Sequence, residues 1–235
     1  MPSIYLLRRG AASLQKSQTE LGSMRGWRLL GGSTLVRDAA AAIRQLRPQM
    51  VAGDLQLVDG PVDRLARQMR QWPGRPLLLL LTPSLADDLQ LFGTLRLGAD
   101  AYCIDKGNGQ GMVAGLQRLA AGRAQMSPLL ARQALEALGL PRSSEAMATS
   151  LPAAQDLSPC EGGQLCRAEQ HLLSLVAMGL LSEEIALRWR RPEAEIERRL
   201  AVIYTRLHRL APPGGETQAA GGAVSTKLGR AASLS

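Results

Sequence analysis

The chain is poor in aromatic side chains, with one Phe, three Tyr and three Trp among 235 residues, so a core must be built from Leu, Ala, Val and Ile. It is also poor in cysteine and histidine. Cys103, Cys160 and Cys166 are odd in number and lack the spacing of a disulfide framework, and no secretory signal opens the chain; a reducing cytoplasm is the expected setting. Cys160, Cys166 and His171 match no zinc module and have no fourth ligand nearby, so no metal site is expected. His171 and His208 read as surface residues of helices, and Trp189 as core. The longest apolar run, Leu77 to Leu81, falls far short of the roughly 20 residues of a membrane span. No paired carboxylates, nucleophile with a base, or metal set stands out, so neither an enzyme nor a cofactor nor a membrane partner is expected.

Apolar residues make up 46% of the chain, which suits two modest cores. The net charge of +8 suits a nucleic-acid partner. The excess is spread, however, with 18 basic against 11 acidic residues over 1–146 and 8 against 6 over 165–210. Charge therefore supports DNA binding weakly, and a solvated arginine-rich surface explains it equally well.

Along the chain, short apolar runs alternate with segments of helical period. Strands are expected at Ile4 to Leu7, Trp27 to Leu30, Met50 to Leu55, Leu77 to Leu81 and Ala101 to Ile104. Helices are expected at Ala11 to Leu21, Thr34 to Leu46, Val62 to Gln71, Leu85 to Leu97 and Met112 to Ala121. Five such alternations imply an α/β fold, a doubly wound five-stranded parallel sheet with the leucine strand at its centre. Gly107, Gly109 and Gly111 invite a phosphate-cradling reading, but their spacing fits neither the dinucleotide fingerprint nor the P-loop, and a flexible loop is the simpler one.

The segments RPQMVAGDLQLVDG, LLLLLTPS, LGADAY and LAAGRAQMSP together resemble the successive landmarks of a response-regulator receiver domain, a flavodoxin-like fold, over about residues 1–126. The resemblance puts Asp54 at the phosphoacceptor position, Thr82 at the switch hydroxyl and Tyr102 at the switch aromatic. In that family an acidic pair after the first strand holds the divalent cation that screens the acyl phosphate. Here Arg8 and Arg9 replace the pair, which removes the metal site. The family lysine is replaced by Asp105, with Lys106 displaced by one residue, a shift that turns a strand side chain to the other face. Conventional phosphorylation is therefore not expected. One reading has an arginine in permanent ion pair with Asp54; the other has both arginines in solvent and Asp54 as a relic.

Ser127 is placed to cap a helix starting at Pro128, and Pro141 to Gly163 has the bias of a linker, so residues 127–164 are read as a helix plus a flexible tether. Residues 165–210 carry three helical segments. Gly179 is suited to a left-handed helix end, Ser182 with two glutamates to a helix start, and Pro192 punctuates before Ile196, Leu200, Ile203 and Leu207. Glu169, Gly179, Glu184, Ile185, Ala186, Ile196, Ile203 and Leu207 match the signature of the LuxR-type helix-turn-helix domain, which this unit resembles. The resemblance implies double-stranded DNA as partner, with the third helix in the major groove. The family's Ser-x-x-Thr-Val-Lys-x-His becomes Pro192 to Arg199 here, so Glu195 and Glu197 replace a hydroxyl and a lysine that face DNA. Arg188, Arg190, Arg191, Arg198, Arg199 and Arg206 remain for phosphate contacts. The stretch 211–235 is expected to be disordered and lacks a convincing fourth helix, which leaves a homodimer open.

Two functional readings follow. The first is an atypical two-component response regulator that binds DNA and controls transcription without Mg-dependent phosphorylation. The second is a signalling module that has lost sequence-specific DNA binding and docks another regulatory protein through its receiver-like sheet, with Glu195 and Glu197 as its best support.

Overall fold

The computed structural model describes residues 1–84, 88–107, 109–140 and 165–210. The linker expected over 141–164 and the tail over 211–235 lie outside the described residues. The strands are β1 (Ser3–Leu7), β2 (Arg28–Ser33), β3 (Met50–Asp54), the two-residue hairpin strands β4 (Gln56–Leu57) and β5 (Gly60–Pro61), β6 (Leu77–Thr82) and β7 (Ala101–Ile104). The helices are α1 (Ala11–Gly22), α2 (Val36–Leu46), α3 (Asp63–Arg70), α4 (Asp88–Leu97), α5 (Gln110–Ala120), α6 (Pro128–Ala137), α7 (Arg167–Ala177), α8 (Ser182–Trp189) and α9 (Glu193–Leu210).

Five strands form one sheet in the order β2-β1-β3-β6-β7, with every pairing parallel. Parallel strands need both faces covered, and the composition answers that need: Ile4 to Leu7 of β1 and Leu78 to Leu81 of β6 are buried on both sides of the sheet. Each fully buried leucine contributes about 1.5–3 kcal/mol. The leucine strand β6 lies beside the centre, which β3 occupies. β2 runs to Ser33, past the expected Leu30, through Gly31 and Gly32. A Cβ on Gly32 would sit 2.6 Å from the side chain of Leu14 on α1, so the glycines that weaken the strand pattern are what let α1 approach this edge.

The glycines of KGNGQGM also answer to close packing. Gly111 lies inside α5, where a Cβ would meet the carbonyl oxygen of Ile104 at 2.0 Å, and Gly109 takes a left-handed φ of 70° before the first turn. Ser127 caps α6 as expected, accepting from the Leu130 N–H at 3.2 Å.

α7, α8 and α9 form the helix-turn-helix-like unit. Gly179 ends α7 with φ 102°, while Arg190 ends α8 in the left-handed region at φ 52° without being glycine. The Arg191 N–H then bonds Ala186 O at 2.9 Å, which closes the α8 terminus. Glu169 holds the unit from inside: its carboxylate accepts from the Cys166 N–H at 2.9 Å and pairs with Arg206 of α9 at 3.2 Å. Two expectations fail here. His171 is buried, because its side of α7 faces α8; its ring lies 5.7 Å from that of Trp189, which is core as expected. Cys166 is disulfide-bonded, a departure from the reduced thiols that the cysteine spacing suggested.

The receiver-like sheet domain and the three-helix unit pack against each other. α6 lies against α7, with the Arg132 guanidinium donating to Ala177 O at 2.9 Å, and α9 lies against α4.

Candidate functional site

In an open parallel sheet the crevice for ligands opens at the carboxyl ends of the strands, where the chain's winding direction reverses. That point here lies between β1 and β3. Arg8 and Arg9 follow β1, Asp54 ends β3, Thr82 ends β6, and Asp105 and Lys106 follow β7, so residues distant in sequence line one cleft. Its volume is about 390 Å³.

Arg8 organises this edge. Its Nη1 donates to Oδ2 of Asp105 at 2.9 Å, and its Nε lies 3.3 Å from Oδ2 of Asp54, outside hydrogen-bond alignment. The Arg9 N–H donates to the same Asp54 oxygen at 2.7 Å. Burial pushes the Asp54 carboxyl above its ordinary range, opposed by that N–H and by the Arg8 and Arg9 guanidiniums. Charge has been exchanged across the site: an arginine stands where the resemblance calls for an acid, and an aspartate where it calls for lysine. Lys106 lines the cleft and is exposed. Thr82 is buried, and its hydroxyl donates to Ser84 O.

These residues do not suit a divalent cation. A guanidinium occupies the approach to Asp54, and the second carboxylate, Asp105, is already engaged by it. Among the described residues no group of three or more His, Cys, Asp or Glu gathers as a metal site.

Tyr102, buried on β7, leads to a second feature. Tyr204 of α9 is fully buried, and its phenol is pushed well above the ordinary value by burial and by Tyr102 beside it. Its hydroxyl donates to Gln125 O at 2.9 Å. Glu197, one turn or more nearer the start of α9, is buried between Arg118 at 2.9 Å and Arg123 at 3.5 Å, while the Ala124 N–H bonds Glu197 O at 3.1 Å. Further along, His208 Nε2 bonds Ala99 O at 2.8 Å, and Arg70 donates to His208 O. Glu197, Tyr204 and His208 recur at helical spacing along one stripe, which is the signal in the sequence that could have exposed this contact. His208, read as a surface residue, is buried because the receiver covers it.

The remaining residues assigned to DNA separate into three groups. Arg188, Arg190, Arg191 and Arg198 are exposed. Glu195 and Arg199 pair with each other at 3.1 Å across one helical turn. Arg206 is buried on Glu169, and Glu197 on the receiver, so neither lies on the exposed face in this arrangement.

No protein-family model matches the chain. The DNA-binding transcriptional activator DevR/DosR of Mycobacterium tuberculosis (strain ATCC 25618 / H37Rv) is 29% identical over 224 residues, spanning 89% of this chain and 94% of that protein. A structure of the RcsB response regulator from Salmonella typhimurium superposes with a TM-score of 0.50 at 16% identity, covering 88% of this chain and 93% of that one. A LuxR-family two-component response regulator from Aurantimonas sp. SI85-9A1 is 24% identical, covers 57% of this chain and 95% of its own, and has a TM-score of 0.47. The chain has the LuxR/NarL-like response-regulator fold, with partial sequence similarity to DevR. No helix among the described residues is long and apolar enough to cross a membrane.

Two predictions follow from the geometry. Replacing Arg8 by alanine strands Asp105 as a buried, unpaired carboxylate, and urea unfolding at neutral pH should show a loss of about 3–5 kcal/mol; a loss below about 1 kcal/mol would show that Arg8 does not hold this edge together. Burial lowers the pKa of His208, with the Arg75 and Arg70 guanidiniums acting the same way and the Ala99 carbonyl and Asp100 opposing. The undocked helix therefore takes up a proton more readily, and docking weakens as pH falls below about 6.5. Small-angle scattering should record a larger radius of gyration at pH 5.5 than at 7.5 in the parent protein, and a smaller difference in His208→Gln; identical pH responses would rule His208 out.

Proposed function

We propose that this chain is a DNA-binding transcriptional regulator, an atypical response regulator whose receiver-like domain acts without Mg-dependent phosphorylation. The observation that carries the phosphate-independent part is Arg8 set between Asp54 and Asp105, a built-in cation at the place where the family recruits a metal. The DNA-binding part is supported by the three-helix unit, by the exposed Arg188, Arg190, Arg191 and Arg198, and by similarity across most of both chains to DevR/DosR, itself a DNA-binding transcriptional activator.

The competing reading, a module that docks another regulator and no longer reads DNA, drew its support from Glu195 and Glu197. Both carboxylates have intramolecular partners, Arg199 for the first and Arg118 with Arg123 for the second, which accounts for them without a loss of DNA binding. In the docked arrangement the inner face of α9 is occupied by the receiver. Contact with a major groove by Glu197 requires it to leave Arg118 and Arg123, whereas Arg198 on the outer face is already exposed.

Genomic fragments captured by the purified protein at several salt concentrations divide the readings. A regulator enriches particular sequences and binds them with a steep salt slope; weak binding without an enriched sequence favours the docking module. On the enriched fragment, Arg198→Ala should weaken binding by roughly tenfold, as loss of a charged contact does. Unchanged affinity would show that the exposed face of α9 is not the contact surface.

A further inference from the structure

The cleft at the carboxyl edge of the sheet holds groups that the chain itself leaves unanswered. Two polar atoms of its walls are buried without a hydrogen-bond partner: Nε of Arg8, a donor, and Oδ1 of Asp105, an acceptor. They belong to side chains only 9% and 2% exposed, so water does not readily satisfy them. Among the described residues that line the cleft, three are cations, Arg8, Arg9 and Lys106, and two are carboxylates, Asp54 and Asp105, an excess of one positive charge. Arg9 and Lys106 are exposed at its mouth, and neither side chain hydrogen-bonds or closes an ion pair with another described residue. The volume of about 390 Å³ is at the lower end of the range for small-molecule sites.

We propose that this cleft is a non-covalent binding site for a small hydroxycarboxylate monoanion. The ligand's carboxylate meets Arg9 and Lys106 at the mouth and answers the spare positive charge. Its hydroxyl donates to the Asp54 carboxylate, which is 22% exposed, while the buried Asp105 stays on Arg8. A metal cation would be repelled by the same three basic groups, and an anion lacking a donor would leave the carboxylate side unmatched. The site adjoins Thr82 at the end of β6, one strand from β7, whose Tyr102 lies beside the buried Tyr204 of α9. The proposal rests on Asp54 being held in its ion pair instead of phosphorylated.

Calorimetric titration of the full chain, in EDTA and without DNA, tests it with glycolate, lactate and mandelate, each beside its hydroxyl-free counterpart acetate, propionate or phenylacetate. At least one hydroxy acid should saturate one site and bind about tenfold more tightly than its counterpart. The double variant Arg9→Ala, Lys106→Ala removes two exposed side chains, so its melting temperature should match the parent while binding falls at least about tenfold. The proposal is overturned if no hydroxy acid saturates below about 10 mM, if the hydroxyl-free acids bind equally well, or if the double variant binds like the parent. With metal and DNA absent, such a result leaves the DNA-binding reading intact. Phosphoryl transfer to Asp54, seen in a separate incubation, would instead remove the premise.

Discussion

Arg8 follows the strand beside the central one, and from there its guanidinium reaches the carboxylates that end β3 and follow β7. Most of what distinguishes this chain from the family it resembles depends on that placement. Two buried or half-buried carboxylates at one sheet edge would repel each other, and a buried cation alone would carry a desolvation cost of several kcal/mol. Held together, they need no metal, because the guanidinium between the carboxylates offsets their repulsion. The same substitution that removes the site for a divalent cation also supplies the counter-charge, so the loss of one input chemistry and the stability of the edge have a single physical origin.

The helical domain is joined to the receiver by contact as well as by the chain, through Ala99 before β7 and residues at the ends of α3 and α5. Glu197, Tyr204 and His208 make one face of α9 polar in a way that only the receiver satisfies: arginines for the carboxylate, a backbone carbonyl for the phenol, another for the imidazole. A buried charge or hydroxyl left without such partners is costly, so these residues bind the docked position specifically, whereas apolar packing alone would tolerate sliding. Because Tyr204 lies beside Tyr102, and Tyr102 stands one strand from Thr82, the output helix and the cleft share a short path through the sheet.

The fold was largely legible in the sequence, because the alternation of apolar strands and amphipathic helices is a local signal. Ala101–Ile104 is found where the pattern put it, while β2 was cut short because Gly31 and Gly32 serve the approach of α1 and carry no strand pattern of their own. Asp54, Arg8 and Asp105 stood out against the family landmarks, but the Arg8 bond to Asp105 spans 97 residues and leaves no local trace. For the same reason His171 and His208 were read as surface: helical periodicity reports which face of a helix is apolar, not which polar face a neighbouring element will cover. Glu197 stands out in the sequence as a departure from the family pattern, but its partners Arg118 and Arg123 lie more than 70 residues away and leave no local trace.

Whether the built-in cation has displaced phosphate chemistry is open to one direct measurement. The full chain is incubated with a small phosphodonor and magnesium, and its intact mass is followed by mass spectrometry, with Asp54→Asn as the control. The ion pair at Asp54 predicts that the mass stays unchanged in both proteins. Stoichiometric gain of a phosphoryl group by the parent, absent from Asp54→Asn, would contradict it.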